Sequence, residues 1–167
     1  MLYKNNKNTS LLDPDLNSFE SLINKKNNSI RLTSLGDHVD VYRNLHKNMM
    51  FTIKQRRGVN SGKVSGYAKS ILIEDPKLIV LEGTRKRVLR EKRKHVHAFV
   101  RGLFLDAYAL PIDLSFHPHR EVSYNPYFMG NFFYTDTKNA VNLNDLPPFI
   151  LLQGPCIYFL YEKPENI

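Results

Sequence analysis

The chain has 167 residues, 42% hydrophobic and 11% aromatic, which suits one folded domain with a substantial core and excludes a disordered chain. A single cysteine excludes a disulfide framework or a cysteine-rich zinc site and fits a reducing compartment. The net charge is +8, and six of those eight units fall within residues 85–94, so the surplus is local and points to a surface that meets an anion. No apolar stretch is long enough to span a membrane, and the first ten residues lack the apolar core of a secretory signal, so no membrane partner is expected and the expected location is cytoplasmic.

In chain order, Leu12, Leu16, Phe19 and Ile23 recur at spacings of four, three and four after Asp13-Pro14, which predicts a helix over 14–23. Alternation at Val39 and Val41 predicts a strand over 38–44, followed by another over 50–55 and a glycine-bearing turn over 56–62. Apolar strands are predicted over 63–74 and 77–82, broken at Glu74-Asp75-Pro76 because proline cannot donate to a ladder. Residues 84–94 lack Gly and Pro and are rich in Arg and Lys, which predicts a short basic helix with Thr84 as N-cap. Alternation resumes at 95–105, with Val96, Ala98, Val100 and Phe104 on the inner face and His95, His97, Phe99 and Arg101 on the other. A loop over 106–118 follows, then a strand over 131–135 set off by Pro126, and short strands at 149–152 and 156–162 around Gly154-Pro155.

The expected fold class is therefore α+β: mainly antiparallel sheet, a basic helix and an N-terminal helix. The segments 42–44, 51–53, 70–73 and 78–81 also resemble 124–125, 133–134, 149–152 and 157–160 in order and type, which suggests a duplicated β-meander. On this reading 1–37 is an N-terminal segment, 38–163 a single domain with half-units 38–105 and 120–163, and 164–167 a tail.

The basic helix is the strongest functional signal. Arg85, Arg87, Arg90, Lys92, Arg93 and Lys94 can neutralise several phosphates, and arginine pairs its guanidinium N–H groups with phosphate oxygens. Arg101, and more distantly Arg56, Arg57 and Lys63, would extend the patch. A solvated helix face is the structural alternative. Two H-x-H pairs, His95/His97 and His117/His119, would share a face if each lay on a strand, yet neither has the spacing of a zinc signature. Six aromatics between Tyr124 and Tyr134 read as core, with base stacking as the alternative. No nucleophile–base–acid trio can be assembled from spacing, and no cofactor is called for.

The strings Val41-Tyr42-Arg43-Asn44-Leu45-His46-Lys47, then 87–94 with 96–102, then Tyr124-Asn125-Pro126-Tyr127 resemble, in that order, short proteins of bacteriophages and other mobile elements. The resemblance runs over 38–163, with 1–37 and 106–118 as additions, and it implies a phage-type origin, hence the host cytoplasm, but no particular chemistry. The leading reading is a non-enzymatic phage accessory protein binding nucleic acid or a phosphate-bearing ligand through the basic helix. The alternatives are a protein-interaction or virion component that meets a host or virion protein, and a metal-dependent phosphoesterase using the histidines.

Overall fold

The computed structural model describes residues 33–47, 50–128 and 131–164. Among them nine strands and one helix follow in order: β1 (His38–Arg43), β2 (Phe51–Gln55), β3 (Val64–Ala68), β4 (Ser70–Val80), α1 (Glu82–Glu91), β5 (Ala98–Tyr108), β6 (His119–Tyr124), β7 (Phe132–Tyr134), β8 (Phe149–Gln153) and β9 (Cys156–Leu160). The strands form one antiparallel sheet in the order β3-β2-β1-β5-β4-β8-β9-β6-β7.

The α+β expectation is corrected by this sheet. One ten-residue helix accompanies nine strands, and the helix expected at 14–23 lies outside the described residues. The duplicated meander is corrected as well. Ser70–Val80 is one continuous strand, whereas 149–153 and 156–160 are two strands joined at Gly154-Pro155, so the segments that look alike are different elements. The break expected at Glu74-Asp75-Pro76 is a bulge inside β4: Asp75 takes φ 50 and its N–H leaves the ladder to donate to the Pro148 carbonyl at 3.0 Å. Gly102 on β5 faces that bulge. A Cβ there would lie 2.5 Å from Cγ2 of Ile73 and 2.7 Å from the Glu74 carbonyl oxygen, so only glycine lets the two strands close.

Two strands at the sheet centre are buried on both faces. Ile71, Leu72 and Ile73 of β4 and Ile150, Leu151 and Leu152 of β8 are all buried. Unbroken apolar runs suit such positions, because neither face meets water. Ile71, Ile73, Ile150 and Leu152 point into the main core with Val39, Val41, Ile53, Val100, Phe132 and Phe159. Leu72 and Leu151 point the other way, where the 109–118 loop covers them with Leu114. Gln153 fixes that loop: its Oε1 accepts from the Ile112 N–H at 2.7 Å and its Nε2 donates to the Ile112 carbonyl at 3.0 Å. Burial of a side chain such as Leu114 contributes about 1.5–3 kcal/mol, which suffices to hold the loop over the sheet.

The sheet is curled. β1 and β6 stand five places apart in the strand order, roughly 24 Å if the sheet were flat. Yet Val41 of β1 and Val122 of β6 line one cleft, and the Arg43 guanidinium reaches the Gly154 carbonyl at 3.4 Å across it. The curl thus brings the start of β5, the end of β6 and the β8–β9 turn together around the inner face.

Candidate functional site

The helix α1 interrupts the β4–β5 pair. Val80 pairs with Ala98, and beyond them the Leu81 N–H donates to the His97 carbonyl at 2.7 Å, so the helix and the 92–97 linker leave and return at one point. Helix formation begins at Glu82 rather than at Thr84. Leu81 occupies the N-cap without a side-chain hydrogen bond, and Glu82 places its carboxylate in the first turn, where the helix dipole favours it. The helix stops at Glu91 because Lys92 turns left-handed, φ 58, and sends its N–H to the Val88 carbonyl. Val88 is the one residue of α1 that is buried. Arg85 supplies a second attachment, donating from Nε to the Pro126 carbonyl at 2.9 Å.

The seven basic residues of this stretch divide into three sets. Arg85 pairs with Glu82 at 2.9 Å and Arg87 with Glu91 at 3.0 Å. Glu91 also has Arg90 at 3.7 Å and the His95 ring at 3.5 Å. Desolvation would raise the Glu91 carboxyl, but the hydrogen bond and charge of Arg87, with His95, hold it below its ordinary range. Lys92 stands 6.0 Å from the centre of the Tyr127 ring. Lys86, Arg93 and Lys94 are exposed and have no ion-pair partner among the described residues. Arg101 is not part of this surface: its guanidinium makes two hydrogen bonds to Asp40, at 2.9 and 3.2 Å, and Arg56 approaches the same carboxylate at 3.6 Å. Arg57 and Lys63 are exposed in the turn between β2 and β3, at the sheet edge.

The linker leads straight into the cleft. Its 360 Å³ are walled by Val41, Val100, Val122, Phe132, Leu152 and Ile157, with His95, His97 and Tyr124 beside them. The alternation expected from residue 95 starts only at Ala98, so His97 does not follow the outward face. Val100 and Phe104 are buried as the alternation implies, Val96 is half-buried, and His97 is 8% exposed. Its Nδ1 lies 2.8 Å from the His95 carbonyl and its ring 5.3 Å from that of Tyr124. Burial pushes the Tyr124 phenol up to about 12, against a smaller opposing effect of Arg85 and a raising one of Glu82. Nε2 of His97 and the Tyr124 hydroxyl are buried without a hydrogen-bond partner among the described residues. Sequence reasoning missed this pair because 97 and 124 meet only through the curl.

The second H-x-H pair lies elsewhere, with His119 exposed at the start of β6 and packed against Tyr158. Among the described residues no group of three His, Cys, Asp or Glu side chains is close enough to hold a metal ion, and no helix is long and apolar enough to cross a membrane.

The chain belongs to the family described as Mycobacterium phage L5 gene 82 protein, whose family model matches residues 33–151. It is similar to the Gene 82 protein of Mycobacterium phage L5, at 30% identity over 105 residues that cover 60% of this chain and 79% of the relative. No solved structure matches the chain. The matched span takes in residues 33–37, which the sequence reading had set aside; here the Gly36 N–H donates to the Phe104 carbonyl and the Phe104 N–H to that of Asp37, both at 2.8 Å.

Proposed function

We propose that this phage-family protein is a non-enzymatic accessory protein that binds nucleic acid through α1 and the 92–97 linker. One observation carries the reading: Lys86, Arg93 and Lys94 keep their charge unpaired on an element anchored by Val88, Arg85 and the Leu81–His97 hydrogen bond. Cations carried on a held backbone release counterions from a phosphate backbone when they meet it. Arg90 and Arg87 stand beside them and can exchange Glu91 for phosphate.

The test is anisotropy with labelled single- and double-stranded oligonucleotides across a salt series. Joint replacement of Lys86, Arg93 and Lys94 by Ala should lower the salt slope by about 2–3 units, since each phosphate contact contributes roughly 0.7–0.9. Replacing Arg57 and Lys63 should leave the slope unchanged. Equal affinity of the triple variant at low salt, with the fold preserved, overturns the reading. Partner capture that ignores salt and follows the exposed Phe116 instead would favour the protein-interaction alternative.

A further inference from the structure

The sheet ends in two edge strands, and they are protected differently. β7 is three residues long, and the 139–141 segment follows its outer side: the Tyr134 N–H donates to the Asn139 carbonyl at 2.9 Å and the Val141 N–H to the Phe132 carbonyl at 3.0 Å. β3 has five residues, Val64, Ser65, Gly66, Tyr67 and Ala68, with no charge and no proline among them. Short, charged or proline-bearing edges resist pairing with another strand, and β3 carries none of these devices. No described strand lies outside β3, yet Ser65, Gly66 and Ala68 are buried. Gly66 and Ala68 stand opposite Ile53 and Phe51 of β2 on the core face, where a glycine and an alanine leave room for larger side chains from outside.

The chain enters the described fold at this same edge. Thr33 is buried, and its hydroxyl donates to the Ser65 carbonyl at 3.3 Å and lies 2.5 Å from the Ser65 hydroxyl. The residues just before it read Asn28-Ser29-Ile30-Arg31-Leu32, apolar at alternate places, as a strand with one buried face requires. Antiparallel pairing that continues from Thr33 beside Ser65 sets Leu32 opposite Gly66, Arg31 opposite Tyr67 and Ile30 opposite Ala68. Opposed residues share a face, so Ile30 and Leu32 then cover the core face and Arg31 lies outside with Tyr67. A slip by one residue would bury Arg31 in their place. We propose that the outer edge of β3 is an interaction surface for an extended strand of alternating apolar residues, and that residues 28–32 of this chain occupy it as a further antiparallel strand. The sheet is thereby closed in cis against a second copy.

The test joins hydrogen exchange of the full chain, read by mass spectrometry, to cross-linking. Peptides covering 28–32 and 64–68 should exchange slowly. Joint Ile30→Asp and Leu32→Asp should speed both, while peptides from β8 and β9 keep their native rates. Arg31→Cys with Tyr67→Cys, on a Cys156→Ser background, should form a disulfide within one chain. Leu32→Cys with Tyr67→Cys, one place off and on opposite faces, should not. Exchange of 28–32 as fast as the same sequence in a free peptide overturns the proposal, and that measurement on the unaltered chain decides if a variant fails to fold. Slow exchange of 64–68 that survives the joint Asp change overturns it too. So does a 31–67 pair that never closes within a chain; closure only between chains assigns the edge to a second copy instead.

Discussion

Two stretches of this chain share one local pattern and reach opposite ends. Glu91, His95 and His97 are spaced as Asp113, His117 and His119 are. In each, Nδ1 of the second histidine lies 2.8 Å from the carbonyl of the first. In each, that second ring packs on a tyrosine, 5.3 Å to Tyr124 in one case and 5.8 Å to Tyr158 in the other. Yet His97 is buried in the cleft with Nε2 unpartnered, whereas His119 is exposed beside the loop that covers the outer face. Local sequence therefore sets the pose of the imidazole, and the strand it leads into sets its chemistry. His97 immediately precedes β5, which lies beside the central strand β4, while His119 opens β6, next to the edge strand.

The strongest way to break the contrast is to unseat the strand that delivers His97. Gly102→Ala drives a methyl into Ile73 and the β4 bulge, and should cost up to about 3 kcal/mol in urea denaturation. Next, His97→Ala should cost roughly 2–3 kcal/mol, since it opens a cavity beside Tyr124, while His119→Ala should stay within about 0.5 kcal/mol. Tyr124→Phe removes a buried hydroxyl that has no partner among the described residues, and should stabilise by up to about 1 kcal/mol; Tyr158→Phe should not, because its hydroxyl is not among the buried unpartnered groups.

The tyrosines also predict an alkaline limit. Burial pushes Tyr124, Tyr108 and Tyr158 up to about 12 from an ordinary 10. Each folded-state value is raised, so the associated stability is full below pH 10 and is lost as pH climbs toward 12. Around Tyr124 the facing groups are Arg85 and Glu82 of α1 and His97; around Tyr158 they are Cys156, Glu121 and His119. A thermal melt series across that range should show the decline, and Tyr124→Phe should soften it. The smallest effect separates the two acids. Glu91→Gln frees Arg87 and Arg90 and should raise oligonucleotide affinity a few-fold at low salt. Asp113→Asn, whose partner is Ser115, should not change it.

Much of the sheet was legible because alternation at Val39/Val41 and Val100/Phe104 follows directly from burying one face. The helix and its charge were legible too, but not its ends: Lys92 adopts a left-handed conformation usually given to glycine, and Leu81 caps without a polar side chain. Pro76 was read as a break because the rule for central strands does not foresee a bulge that turns its backbone away. β6 went unread because Pro126 was taken to split a strand that ends before it. The cleft had no sequence signal of its own. His97 and Tyr124 meet across three intervening strands, and only the curl of the sheet shortens that distance.

β4 and β5 are successive, antiparallel and closed by the Leu81–His97 hydrogen bond, so in topology they are a hairpin whose connection is a helix. Such a connection is a graft point. Closing a longer loop at a fixed base costs only about 0.6 kcal/mol per doubling of its length. The segment from 82 to 96 can therefore be lengthened, trimmed or recharged across a lineage without moving any strand out of register. The sheet is a chassis whose pairing does not depend on the helix it carries.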